Sequence, residues 1–150
     1  MTFSSHLKSI FLAEDDIDDC LIFVEALKAI NDGTELTITS DGVELLSTLD
    51  ETVPPPPYVI FLDLNMPRKN GFEALSEIRQ NDKLKNIPVV ILSTASNPDV
   101  IEKTFHLGAN YFLRKPTSFL KLREAISTVL SLDITQLHTQ PEIQKFVLSA

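Results

Sequence analysis

The sequence holds a single cysteine, Cys20, which excludes an internal disulfide. It is short of positive charge: 13 lysines and arginines stand against 21 acidic residues, a net charge of −8. Such a surface repels nucleic-acid backbones and anionic lipid, which argues against direct DNA binding and against a membrane partner. No apolar run approaches the roughly 18 residues that span a bilayer. The opening stretch MTFSSHLKS lacks the long apolar segment and small-residue cleavage site of a secretory signal. The expectation is a soluble, cytoplasmic protein.

What the sequence has in quantity is apolar residues, 43% of a 150-residue chain, enough for one continuous core. Ser9 to Leu12 is a short apolar run that stops at Glu14-Asp15-Asp16, after which Cys20, Phe23, Val24, Leu27 and Ile30 recur at helical spacing. The same strand-then-helix pattern returns with Leu36 to Thr39, Asp41-Gly42 and then Leu45, Leu46 and Leu49. Pro54 to Pro57 predict an extended, stiff approach to a third strand, Tyr58 to Leu62; a role of that run as a ligand for proline-reading modules is the lesser reading. A loop with Pro67 and Gly71 leads into a helix with Leu75 and Ile78, and Pro88 opens the strand Val89 to Leu92. Asn97-Pro98 starts a fourth helix ending near Leu107-Gly108, Tyr111 to Leu113 form a fifth strand, and Leu122, Ala125, Ile126 and Val129 mark a fifth helix. Five apolar strands alternating with helices predict a doubly wound α/β fold, a parallel sheet covered on both faces. Residues 8–133 form the expected domain, and 134–150 are too few for a separate effector domain. That tail fits three descriptions: a helix packed on its own domain, a dimer contact, or a disordered end.

Ligands in such folds gather at the carboxyl ends of the strands. There the sequence places Glu14 and Asp15 after the first strand, Asp63 after the third, Thr94 after the fourth and Lys115 after the fifth. Three convergent carboxylates repel one another, and a bound cation keeps them ionised. Oxygen donors with no histidine or thiol nearby suit Mg²⁺, with Mn²⁺ as a substitute, rather than zinc. Mg²⁺ keeps open positions for a phosphate oxygen, which leaves Asp63 free to attack phosphorus. Lys115 and the Thr94 hydroxyl then match the charge and hydrogen-bonding needs of a phosphoryl group. Taken singly, Glu14 to Asp16 reads as an acidic helix cap, Asp63 as a strand-end cap, Thr94 as a turn residue and Lys115 as a solvated charge. Their joint placement on successive strand ends favours the chemical reading.

Ala13-Glu14-Asp15-Asp16, FLDLNMPRKNGFE from Phe61 to Glu73, Ser93-Thr94-Ala95 and Leu113-Arg114-Lys115-Pro116 together resemble the receiver domain of two-component response regulators. The resemblance runs over residues 8–132 in order and spacing. It implies a flavodoxin-like (βα)5 three-layer sandwich with a five-stranded sheet of order 2-1-3-4-5. It also implies that Asp63 is the phosphoacceptor, Asp15 a direct metal ligand, Glu14 a ligand through water and Asn65 a ligand through its backbone carbonyl. Thr94 becomes the switch hydroxyl, Lys115 the phosphate-binding lysine, Lys115-Pro116 a cis peptide and Phe112 the aromatic switch residue, with Tyr111 one position off. Phe112 read without the resemblance is a permanently buried strand residue. Lys69-Asn70-Gly71 and the long loop from Asp50 to Pro57 are similar to the small regulators paired with bacterial phytochromes.

The resemblance implies a histidine kinase or histidine phosphotransfer protein as donor. It further implies a downstream protein target, reached through the face of the fourth helix, fifth strand and fifth helix, which is also a candidate homodimer surface. It implies a signalling switch that catalyses its own phosphorylation and dephosphorylation, with Asn65 and Ser96 near the attacking water, rather than a turnover enzyme. A phosphohydrolase using an aspartyl phosphate is disfavoured, because the second aspartate expected two residues after the nucleophile is Asn65. The alternative is a phosphorylation-independent interaction module with the same fold, disfavoured because Asp63, the acidic pair and Lys115 are all present. His6, His106 and His138 show no metal-ligand spacing, Cys20 falls on an apolar helix stripe, and Arg68 and Lys69 are expected in solvent or at a kinase contact.

Overall fold

A computed structural model describes residues 8–30 and 33–148; His6 lies outside them. The described residues form six strands and seven helices, the first ten of these elements alternating: β1 (Lys8–Ala13), α1 (Ile17–Ile30), β2 (Thr34–Thr39), α2 (Gly42–Thr52), β3 (Val59–Leu62), α3 (Gly71–Gln80), β4 (Val89–Ser93), α4 (Pro98–His106), β5 (Tyr111–Arg114) and α5 (Phe119–Ser131). After α5 come α6 (Ile134–His138), α7 (Ile143–Phe146) and β6 (Val147–Leu148). All strand pairs are parallel, in the order β2-β1-β3-β4-β5-β6.

The central strands are buried on both faces, and their alternation sorts them into two cores. Phe11, Ile60, Leu62, Val89, Ile91 and Phe112 face one way and meet Leu45 and Leu49 of α2 and Leu75 and Ile78 of α3. Ile10, Leu12, Phe61, Val90, Leu92 and Leu113 face the other way and meet Phe23 and Leu27 of α1 and Ile126 and Val129 of α5. Local chemistry starts the helices where the sequence indicates. Asn97 caps α4 through the Val100 amide, with Pro98 in the first turn, and Ser118 caps α5 through the Lys121 amide. Asn70 and Glu73 form a reciprocal capping box on α3.

Three expectations are corrected. The sheet has a sixth strand, because the segment after α5 turns back along the β5 edge, where Phe112 pairs with Val147 and Leu113 with Leu148. The proline run is not uniformly extended: Val53-Pro54 and Pro54-Pro55 are cis, an isomer that tertiary amides adopt at small cost. The Lys115-Pro116 bond, expected cis, is trans; the Lys115 amide continues the β4–β5 ladder by donating to Ser93 O at 2.9 Å, and its side chain still reaches the acidic cluster.

The tail packs on its own domain. Leu137 is fully buried in the α1/α5 core and Phe146 fully buried in the other. Gln140 Nε2 donates to the carbonyls of Phe105 and Ala109 at 2.6 and 2.8 Å, closing the C-terminal end of α4.

Candidate functional site

The parallel ladders deliver the polar residues to one edge. Glu14 N donates to Thr39 O at 2.9 Å and Asp63 N to Ala13 O at 3.0 Å, so both residues leave their strands at the same height. Glu14, Asp15, Asp63, Asn65, Thr94 and Lys115 line a single open mouth at the carboxyl end of the sheet, together with Asp16, Asp18 and Asp19 from the start of α1. Glu14 and Asp63 are buried, at 2% and 6% exposure, whereas Asp15 and Thr94 are exposed. Phe112 lies below the mouth in the core, with no exposure.

Glu14, Asp15 and Asp63 each offer an oxygen within 4.8 Å of the others. Lys115 Nζ stands 2.6 Å from Glu14 Oε1, 2.9 Å from Asp19 Oδ2 and 3.7 Å from Asp63 Oδ2. The Glu14 contact is an ion pair that lacks hydrogen-bond alignment, so this buried Oε1 keeps an unfilled acceptor direction. Burial raises the Glu14 carboxyl to about 7 against the pull of Lys115, with Asp63 adding to the rise. Burial also raises Asp63, opposed by Lys115, Glu14 and the backbone amides of Asn65 and Leu64. Burial alone would lower the Lys115 ammonium, but its bonds to Asp19 and Glu14 and the charge of Asp63 outweigh that and raise it. One ammonium thus stands among three carboxylates, those of Glu14, Asp19 and Asp63, more charge than it can balance. A hard divalent cation with oxygen preference fits this donor set.

Sequence reasoning missed Asp19, which holds Lys115 from the first turn of α1. It also missed the pairing of Asp41 with Arg68, a residue expected in solvent or at a kinase contact. Arg68 Nε and its terminal nitrogen donate to Asp41 Oδ2 at 2.8 and 2.6 Å, and Lys69 pairs with Glu77, so neither cation of this loop is free. Cys20 is half-buried on α1, its thiol pushed up to about 11 by burial and by the carboxylates Glu14, Asp19 and Asp16.

A doubly wound parallel sheet with an acidic cluster and one lysine at its carboxyl edge defines a class of metal-assisted phosphoryl-binding domains. Within that class, the family model of the response regulator receiver domain matches residues 10–127. The chain belongs to that family. It is similar to response regulator Rcp1 of Synechocystis sp. (strain ATCC 27184 / PCC 6803 / Kazusa), with 37% identity over 128 residues covering 83% of this chain and 87% of that protein. The Mn²⁺-bound crystal structure of Rcp1 superposes with a TM-score of 0.74 at 35% identity, covering 90% of this chain and 99% of the other. The phosphorylated cyanobacterial phytochrome response regulator RcpA superposes with a TM-score of 0.78 at 33% identity, covering 91% and 100%. The resemblance to phytochrome-associated regulators read from Lys69-Asn70-Gly71 and the loop before β3 is borne out by this neighbour.

Proposed function

We propose that residues 8–133 act as a Mg²⁺-dependent phosphorylation switch in which Asp63 is the phosphoacceptor. The observation that carries this reading is Asp63 itself, buried at the end of β3, with Lys115 Nζ at 3.7 Å and the oxygens of Glu14 and Asp15 within 4.8 Å. A carboxylate so placed is short of solvation and faces the mouth that would admit a phosphoryl donor.

An Asp63 oxygen attacks the phosphorus of a phosphohistidine, the phosphorus–nitrogen bond breaks, and the leaving imidazole takes up a proton. Glu14, Asp15 and the Asn65 carbonyl form the proposed metal set with Asp63. Mg²⁺, or Mn²⁺ in its place, supplies positive charge against the phosphoryl oxygens when bound. Lys115, held by Glu14 and Asp19, neutralises a further phosphoryl oxygen, and the Thr94 hydroxyl donates to another. Dephosphorylation is a separate reaction: water attacks phosphorus and gives up a proton, the bond to Asp63 breaks, and inorganic phosphate and the free carboxylate result. Asn65 and Ser96 position that water, since neither is a strong base.

The proposed donor is a histidine kinase or phosphotransfer protein, and the relation to RcpA supports a phytochrome-type kinase. Ile17 and Leu21, 76% and 59% exposed on the first turns of α1, offer it apolar ground beside the acidic mouth. Signalling through the face of α4, β5 and α5, to a downstream protein or to a second copy, would have to accommodate β6 on the β5 edge. A cytoplasmic site of action accords with the described residues, which include no helix long and apolar enough to cross a membrane.

Intact-protein mass after incubation with phosphoramidate or acetyl phosphate tests the reading. The expected result is a Mg²⁺-dependent gain of one phosphoryl group that Asp63→Asn abolishes. Absence of any gain, with or without Mg²⁺, would leave a phosphorylation-independent interaction module as the better account.

A further inference from the structure

The loop between β3 and α3 carries Asn65 and must be held in place for its carbonyl to serve the metal set. Its far half makes a tight turn: Lys69 N donates to Pro67 O at 2.7 Å, and the residue between them, Arg68, has φ 63°. This three-residue turn with a positive central φ is the rarer, strained form. Arg68 is the one non-glycine residue at positive φ among the described residues. A long side chain gains nothing from that backbone, whereas asparagine or glycine accepts it readily.

The reason for arginine there is its partner. Both donor contacts of Arg68 converge on Oδ2 of Asp41, whose side chain is only 6% exposed, while Asp41 Oδ1 accepts the Glu44 amide at 2.8 Å and caps α2. Beside this pair the two loops touch directly, with Gly42 N donating to Lys69 O at 3.0 Å. A Cβ on Gly42 would lie 2.6 Å from that same oxygen, so the approach requires glycine. The β3–α3 loop is therefore clasped to the start of α2, an element 27 residues earlier in the chain. At its near end, Gly71 N closes the loop onto Leu64 O at 3.0 Å.

We propose that the Arg68–Asp41 clasp is a positioning device for the metal-holding loop, so that it sets the affinity of the site for its divalent cation as well as fastening α2. The inference rests on the reading of Asn65 as part of the metal set. Neither Arg68 nor Asp41 touches the mouth; both act through the loop, as supporting partners of metal ligands do.

The test is a calorimetric titration with Mn²⁺ and with Mg²⁺ of the wild type, Arg68→Asn, Arg68→Gly, Asp41→Asn and the Asp41→Asn/Arg68→Asn double variant. Asparagine and glycine suit the left-handed backbone at 68, and asparagine at 41 keeps the oxygen that caps α2. The expected result is a loss of roughly tenfold in metal affinity for each single variant, with the double variant no worse than either single. Arg68→Gly and Arg68→Asn should melt within about 3 °C of the wild type without metal, which separates positioning from general destabilisation. Metal affinity unchanged within about twofold in both position-68 variants, a resolution near 0.4 kcal/mol, overturns the clasp and leaves the site reading intact. No Mn²⁺ uptake by the wild type overturns both.

Discussion

The rings of Phe112 and Phe146 lie with centroids 6.2 Å apart at 56°, both fully buried, although one belongs to β5 and the other to the chain's end. Phe146 also meets Phe105 of α4 edge-on, with centroids 5.2 Å apart. The residue proposed as the aromatic switch therefore has a tail aromatic packed on it, and any turn of the Phe112 ring must repack Phe146. Tail and switch share one core. Phe146→Ala is expected to destabilise the domain by about 3–5 kcal/mol through lost burial and a residual cavity. Urea unfolding followed by far-ultraviolet circular dichroism measures the change, and a loss under about 1 kcal/mol would show that the tail does not seal this core.

Asn110 fastens the other end of the tail. Its Oδ1 accepts from the Val89 amide at 2.9 Å and from Arg79 at 2.8 Å, and its Nδ2 donates to Leu137 O at 3.1 Å. Asn110→Ala orphans the buried Val89 amide and takes one of four acceptors from the half-buried Arg79 guanidinium, with an expected loss of about 2–3 kcal/mol. Asn110→Asp keeps the acceptor but has no donor for Leu137. Hydrogen exchange should then rise in residues 134–148 and stay near wild-type levels in β4. Equal acceleration in both segments would count against a local latch.

Much of this architecture was legible because its cause is local. Runs such as Val89 to Leu92 and Val59 to Leu62 are too apolar for anything but a sheet buried on both faces, and Asn97-Pro98 and Ser118 announce their helices within one turn. The acidic mouth was legible for the same reason, since parallel strands of one sheet end together and Glu14, Asp63, Thr94 and Lys115 are strand-end residues.

What stayed hidden depends on partners distant in sequence. Asp41 and Arg68 are ordinary loop residues until two βα loops are side by side, and the left-handed backbone of Arg68 has no local signature in an arginine. The spacing of Ile143, Phe146 and Val147 suits a short helix equally well in solvent. Only the open β5 edge and the space beside Phe112 decide that Phe146 is buried while Ile143 stays 37% exposed.

The acid side of the stability curve should carry the mark of Asp41. The Glu44 amide, and then Arg68, hold its carboxyl below the ordinary value of 3.8 despite burial. A carboxylate depressed in the folded state contributes stability that is present above its unfolded pKa and is lost as pH falls through the folded one. From about pH 5 to pH 3 the wild type should therefore lose melting temperature more steeply than Asp41→Asn, whose amide does not titrate. Parallel curves for the two proteins would show that Asp41 gains nothing from its charge.

Gly71 tests how tightly the acceptor is held from behind. A Cβ there would lie 2.3 Å from Asp63 O and 2.7 Å from Leu64 Cα, both backbone atoms that cannot swing aside. Gly71→Ala can be accommodated only if the start of α3 withdraws from the end of β3 or if the Asp63 peptide moves. Either shift displaces the proposed nucleophile or the loop bearing Asn65 relative to Glu14, Asp15 and Lys115, which stand on other strands. Positioning errors of about 1 Å cost on the order of a hundredfold in rate when geometry supplies the catalysis. The expected outcome is a folded protein by circular dichroism whose phosphorylation by phosphoramidate is slowed by about that factor. If intact mass shows uptake at the wild-type rate, the backbone of Asp63 is not the part of the site whose position matters.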